Sequence, residues 1–341
     1  MATSPDRYPW HAGAWSALVE RRARDRLPHA LLIDGAGGVG RHAFARRIAA
    51  ALFCATPDAA TGDACGSCRP CRQFLAGSHP DYYHLRLLLK GESLGGKKLT
   101  QDATRIRIDQ VRELGARLAL SAQHGGWKVA LVDPADRLMP EAANALLKTL
   151  EEPTPQTLLM LVTTQRGRLL ATIRSRCQVV AIATPPAPAA HAWLTTQGVN
   201  DGEALLALAD GSPLRALALA DEGAVKARQA AFDAFGGILS GRDDPVAVAA
   251  RWAGNDPARL FGWLASWLVD MIRLKSVAAP PLLDNRDLAG RMQALVETLD
   301  LPYLFARLDD LQRARRLVET QVNPQLLCED LLLAWQPART T

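Results

Sequence analysis

The sequence has no long apolar run and little net charge, and these absences narrow the classes of protein it can be. No stretch approaches the ~18 consecutive apolar residues of a membrane-spanning helix, so we expect no membrane segment. The first ten residues lack the apolar core of an export signal, and Asp6 stands there beside Arg7. We therefore expect a cytoplasmic protein. A net charge of only +5 permits contact with nucleic acid without requiring it.

The chain also lacks an internal repeat and a long low-complexity tail. Its 341 residues are enough for two or three domains, and 48% of them are hydrophobic against 22% charged. These proportions are those of an ordinary globular protein, so disorder is not expected.

Short apolar runs alternate with helical patterns in the first half of the chain. Each run has the length of a buried parallel strand, and the helix between the second and third runs has leucine and alanine at helical spacing. The pattern predicts a parallel α/β domain. The four predicted strands are residues 30–33, 129–132, 158–162 and 178–182.

A proline-rich joint at residues 184–188 separates this region from a second one in which we find no strand pattern. We predict amphipathic helices there, broken at Gly211-Ser212-Pro213, Gly236-Gly237, Pro280-Pro281 and Pro302. The predicted division is an α/β domain over 1–183, a small helical domain over 184–210 and an all-helical domain over 211–341. Residues 90–104 are polar and rich in glycine, which predicts an exposed loop.

A glycine-rich segment, Gly35 to Gly40, follows the first predicted strand and precedes a helix predicted from about Arg41 to Phe53. A working P-loop has the form G-x-x-x-x-G-K-[ST] in this context. Here Arg41 replaces the lysine, and His42 replaces the hydroxyl residue that holds Mg²⁺. Imidazole is a poor ligand for that hard ion. We interpret Gly35, Gly40 and Arg41 as part of a degenerate nucleotide site, and a plain glycine turn is the alternative.

The second predicted strand ends at Asp133, which is followed by Pro134. P-loop ATPases of this broad class have Asp-Glu there, for the metal and for polarising water. Asp133 could still organise a metal ion, but proline accepts no proton. We therefore predict that the chain does not hydrolyse ATP, and residual nucleotide binding is left open.

Four of the six cysteines lie within 18 residues, with 10, 2 and 2 residues between them: Cys54, Cys65, Cys68 and Cys71. Four thiolates at such spacing can close the tetrahedral shell of a structural zinc site. Two disulfides or free buried thiols are the alternatives, and the expected cytoplasmic location favours zinc. We predict a zinc module at about 54–71, and we expect Cys177 and Cys328 to be buried.

Several segments together resemble the clamp-loader subunits of bacterial DNA polymerase III, which are AAA+ proteins. They are Asn144–Pro153, Thr163-Thr164, Ser175-Arg176-Cys177 and the cysteine cluster after the P-loop helix. Within that group, His79-Pro80-Asp81-Tyr82-Tyr83 and Pro9-Trp10 are similar to the delta-prime type rather than to the tau/gamma motor. The resemblance covers residues 9 to 185.

The resemblance implies a role in a hetero-pentameric ring with tau/gamma and delta subunits, which loads a sliding clamp onto primed DNA. In that family the arginine of Ser-Arg-Cys projects into a neighbour's ATP site, and Arg176 matches it. Thr164 matches a sensor residue beside the γ-phosphate. Arg215 falls one position late for the second sensor, so we interpret it as a surface charge.

Two other functions remain open from the residues alone. One is an active ATPase motor, which would have to tolerate Arg41, His42 and Pro134. The other is a zinc-dependent DNA-binding regulator, for which Arg69 and Arg72 give little support. Lys97, Lys98, Arg105 and Arg107 form a weak basic patch, which we interpret as a solvated loop.

Overall fold

The structure, a computed structural model, describes residues 7–94, 97–123, 126–221, 223–254, 256–277, 280–318 and 322–335. Two compact units divide the chain, Met1–Pro185 and Pro186–Thr341. The boundary lies within the predicted proline-rich joint. The finer division of the second region at residue 210 remains a prediction.

A five-stranded parallel sheet forms the centre of the first unit. Its strands are β1 (Ala30–Gly35), β2 (Tyr82–Leu85), β5 (Lys128–Val132), β6 (Thr157–Thr163) and β7 (Gln178–Ile182). Their order across the sheet is β2-β5-β6-β1-β7. The four predicted strands correspond to β1, β5, β6 and β7, each within two residues of its predicted bounds. Of these, β1, β5 and β6 lie inside the sheet and contain the apolar runs that burial on both faces requires.

Helices cover both faces of this sheet. They are α1 (Ala12–Ala23), α2 (Arg41–Phe53), α3 (Arg69–Leu75), α4 (Ile108–Ala119), α5 (Pro140–Glu151) and α6 (Ala171–Arg174). Leu31 and Ile33 of β1 pack on one face with α1, α2 and α3, whereas Ala30 and Leu32 pack on the other with α4, α5 and α6. This alternation follows from the two-residue period of a strand.

The edge strand β2 was not predicted, and neither was a short hairpin made by β3 (Ser93–Leu94) and β4 (Lys97–Lys98). Only Leu85 of the four β2 residues is buried, so this strand has no apolar run to identify it. The hairpin lies inside the segment that we predicted to be a loop.

The described residues of the second unit form helices and no strands, as predicted. One predicted break is wrong, because α10 runs through Gly236 and Gly237 to Leu239. A side chain at Gly237 would lie 2.0 Å from the Asp243 carboxylate, so this glycine permits a close approach rather than a turn. The helices are α7 (Ala187–Thr196), α8 (Gly202–Leu208), α9 (Pro213–Asp221), α10 (Ala224–Leu239), α11 (Pro245–Ala253), α12 (Pro257–Ser276), α13 (Ala289–Val296), α14 (Leu301–Leu317) and α15 (Pro324–Ala334).

Among the described helices, none is both long and apolar enough to cross a membrane. The predicted combination of a parallel α/β domain and a following helical region is confirmed.

Candidate metal centre and degenerate nucleotide site

The four clustered cysteines come together at the ends of two helices. Cys54 directly follows α2, Cys68 directly precedes α3, and Cys71 lies in the first turn of α3. The Sγ atoms of these three and of Cys65 all lie within 4.8 Å of one another. Four thiols at this separation can bind one metal ion in a closed shell.

Local hydrogen bonds already support sulfur in its anionic form. The backbone N–H of Cys65 donates to Cys54 Sγ at 3.2 Å, and that of Cys68 donates to Cys65 Sγ at 3.4 Å. Hydrogen bonds from Thr56 and Ser67 lower the pKa of Cys65 to about 5, whereas burial raises the pKa of Cys71. None of the six cysteines, all of which are described, forms a disulfide. A bound cation is what would stabilise all four as thiolates.

The segment that carries Cys65 is also attached to the domain through groups other than sulfur. Arg47 of α2 makes a bidentate ion pair with the buried Asp63, with N–O distances of 2.6 and 2.9 Å. The indole N–H of Trp15 donates to the carbonyl of Thr61 at 2.8 Å. Residues 54–75, which follow α2 and end with α3, form an excursion from the domain. The start of this excursion is therefore docked on α1 and α2 without help from a metal.

The glycine segment forms the turn between β1 and α2, as a P-loop does. Gly40 directly precedes α2 with φ +80°, a conformation that favours glycine, and a Cβ there would lie 2.6 Å from the Tyr8 ring. The side chains of Trp10 and His11 each contact the carbonyl oxygen of Val39, at 2.9 and 2.8 Å. Residues 8–11 thus cover the turn.

Gly40→Ala should lower the stability of the first unit by at least about 1–2 kcal/mol, the usual cost of a left-handed conformation for an L-residue. The clash with Tyr8 adds to this. Gly37→Ala is the matched control, because a Cβ at Gly37 meets nothing within 4 Å. Urea denaturation of both variants checks the prediction, which fails if the two midpoints shift equally.

His42, at one of the two replaced positions of the motif, contacts the carboxylate of Asp133. His42 Nδ1 lies 2.7 Å from Asp133 Oδ2, with 44% and 20% of the two side chains exposed. Burial lowers the pKa of Arg41, and the carboxylates of Asp133, Asp136 and Asp34 oppose that shift. The side chains of His42 and Arg41 therefore occupy the two motif positions that a P-loop ATPase uses for its Mg²⁺ ligand and its lysine.

Asp136 is also engaged within the chain. Its Oδ1 accepts hydrogen bonds from the hydroxyl of Thr163 at 2.7 Å and from the backbone N–H of Thr164 at 3.3 Å. Asp136 is buried and fixes the end of β6, whereas the base position next to Asp133 is filled by Pro134. The Thr164 side chain is exposed beside this arrangement.

Arg176 lies on the exposed turn between α6 and β7. Its Nη2 forms an ion pair with Glu151 Oε1 at 2.7 Å, and its Nη1 donates to the carbonyl of Thr172 at 3.0 Å. The side chain is 36% exposed and its partner 49%, so the pair faces solvent. Arg215 makes an exposed ion pair with Asp210 at 3.0 Å, consistent with a surface charge.

Sequence reasoning missed three contributors to this region. His84 of β2 lies beside His42, with ring centroids 5.2 Å apart. Glu151 was seen only as part of a motif and not as the partner of Arg176. Residues 8–11 were seen only as a mark of resemblance and not as a cover for the glycine turn.

Comparison with known proteins identifies the family. The family described as DNA polymerase III, delta subunit, matches residues 10–186, and the one described as DNA polymerase III, delta subunit, C terminal, matches residues 222–337. The chain is 35% identical over 337 residues to the DNA polymerase III subunit delta' of Pseudomonas aeruginosa, an alignment that covers 97% of each chain.

A second delta' subunit, from Escherichia coli, is 37% identical over 331 residues, which cover 96% of this chain and 94% of that one. The tau subunit of Escherichia coli is 33% identical over 162 residues, but these cover only 48% of this chain and 23% of that one. The similarity to delta' subunits thus extends through both compact units, and the chain belongs to the DNA polymerase III delta-prime subunit family.

Proposed function

We propose that this chain is a non-hydrolysing delta-prime subunit of a clamp loader and helps to load the sliding clamp onto primed DNA during chromosomal replication. Its partners are tau/gamma and delta subunits in a hetero-pentameric ring, with the clamp and DNA reached through the complex. The role is a cytoplasmic one. Family membership over nearly the whole chain supports this proposal.

The contact between His42 Nδ1 and Asp133 Oδ2, 2.7 Å long, is the observation that carries the non-hydrolysing part of the proposal. A Mg²⁺–nucleotide complex needs a hydroxyl and a free carboxylate at these positions. Here the imidazole of His42 occupies the position of the hydroxyl and contacts the carboxylate of Asp133. Neither Arg41 nor Pro134 supplies the missing groups.

The isolated protein is expected to hydrolyse ATP no faster than a blank. The double variant Arg41→Lys/His42→Thr, which restores the P-loop residues, should also stay inactive because Pro134 still occupies the base position. Phosphate release measured on both proteins tests this. Turnover that stays with the unmodified chain through successive columns would contradict the proposal and favour a motor.

We further propose that Arg176 acts in trans, at the ATP site of the neighbouring subunit. Its position on a solvent-facing turn supports this role, and its acidic partner among the described residues, Glu151, is itself half exposed. An exposed ion pair contributes about 0–1 kcal/mol, so Arg176 can exchange Glu151 for a phosphate group at small cost.

The metal that we propose for Cys54, Cys65, Cys68 and Cys71 is structural zinc. Four sulfur ligands in a closed arrangement suit zinc and leave no position for a substrate. The ion would hold the 54–75 excursion together and take no part in catalysis. The alternatives of an active motor and a zinc-dependent regulator have no comparable support in the described residues.

A further inference from the structure

A second group of metal-ligating side chains lies at the degenerate nucleotide site. It consists of His42, His84 and Asp133, and one ligand atom from each lies within 4.8 Å of the other two. These residues share no member with the cysteine cluster. They come from three separate segments: the start of α2, strand β2 and the end of β5.

The sheet register explains why the three meet. Strands β2 and β5 are parallel neighbours, with His84 opposite Leu131. Leu131 packs on the face of the sheet that α2 covers. Since side chains alternate along a strand, Asp133 continues the face of Leu131. The first turn of α2 then brings His42 over both.

The arrangement is held by backbone pairing and remains open to solvent. The N–H of Asp133 donates to the carbonyl of Leu85, the residue after His84, at 2.9 Å. The imidazole of His42 is 2.7 Å from the Asp133 carboxylate and is 44% exposed. An ion can therefore reach ligands whose backbones are already fixed by the sheet.

The donor set decides which ion fits. Two imidazole nitrogens and one carboxylate oxygen suit zinc and its transition-metal neighbours, whereas Mg²⁺ demands oxygen ligands. We propose that His42, His84 and Asp133 bind a divalent transition-metal ion of the zinc class at the position where a P-loop ATPase binds Mg²⁺.

Three protein ligands leave one position of a tetrahedral ion open, unlike the closed cysteine shell. The positive charge of Arg41, which lies in the field of Asp133 and Asp136, opposes the ion and weakens its binding relative to the cysteine site. As Zn²⁺ is added, the cysteine site is therefore expected to fill first and the site of His42, His84 and Asp133 second.

Titration with Zn²⁺ tests the proposal on the full chain, after a weak chelator has removed all but the cysteine-bound metal. Calorimetry should record one further equivalent. The ring nitrogen resonances of His42 and His84 should shift with it, while those of His191, which belongs to the second unit, should not. The proposal is overturned if no further equivalent binds, or if it binds without shifting those two rings.

Two variants locate the site. His84→Ala should weaken the second equivalent by more than about 100-fold, since even the loss of an outer-shell partner costs about 10–100-fold. Asp133→Asn should also weaken binding of the second equivalent of Zn²⁺. This variant provides the test if His84→Ala fails to fold. His191→Ala, which removes an exposed histidine of the second unit, should change nothing. Unchanged affinity in both site variants contradicts the assignment.

Discussion

Replacing Cys71 by serine is expected to release the cysteine-bound metal and to unfold part of the 54–75 excursion. Cys71 is 1% exposed and belongs to a set of four sulfurs within 4.8 Å of one another. The segment has few apolar residues of its own, so the binding free energy of the metal is a large part of its folding free energy. For structural zinc in small peptides that contribution is about 10–16 kcal/mol.

The loss should be local. The Arg47–Asp63 ion pair and the Trp15–Thr61 hydrogen bond do not involve sulfur, so residues up to Asp63 should stay docked on α1 and α2. Amide hydrogen exchange should therefore increase at residues 64–72 far more than in the sheet.

Cys328→Ser is the matched control, because Cys328 is also 1% exposed but lies in α15 of the second unit. After a weak chelator has removed metal from any weaker site, Cys328→Ser should keep one equivalent of metal, measured by elemental analysis, whereas Cys71→Ser should keep none. Stoichiometric metal in chelator-treated Cys71→Ser, or zinc missing from the chelator-treated unmodified protein, would contradict the proposed centre.

Arg176→Ala is expected to lower ATP hydrolysis and clamp loading by the assembled complex without changing the fold, the metal content or the assembly. An arginine supplied in trans is worth ~10³–10⁵ in rate at the site it serves. The effect on the whole complex should be smaller, since the other interfaces keep their own arginines. Single-turnover hydrolysis in the reconstituted complex measures it.

Arg176→Lys should restore little of the lost ATP hydrolysis and clamp loading, because a point charge does not reproduce the planar two-pronged contact of a guanidinium. Arg112→Ala serves as the control, because Arg112 is also a surface arginine with an exposed acidic neighbour, Asp109. Hydrolysis and loading at the unmodified rate in Arg176→Ala would reduce this residue to a surface charge paired with Glu151.

The strands that could be predicted each contain an uninterrupted run of at least four apolar residues. β5 and β6 have every residue buried, and burial on both faces requires the unbroken apolar run that the sequence displays. β2 lies at the sheet edge with three of its four residues at least partly exposed. Its pairing with β5 is a long-range property, which local composition does not encode.

The same distinction applies to the candidate sites: residues close together in sequence could be grouped, and residues brought together by the fold could not. Sequence spacing was enough to group Cys54, Cys65, Cys68 and Cys71, because all four lie within 18 residues of the chain. The meeting of His42 with His84 depends on strand order and register, and neither is visible along the chain. The Arg176–Glu151 pair likewise joins residues 25 positions apart through the packing of α6 against α5.

Reconstitution of the clamp loader with and without this chain tests the central claim most directly. The chain should elute with tau/gamma and delta subunits as one complex, and loading of the clamp onto primed DNA should require it, although it hydrolyses no ATP by itself. If the chain elutes alone, or if loading proceeds at the same rate when it is omitted, the proposed function is wrong.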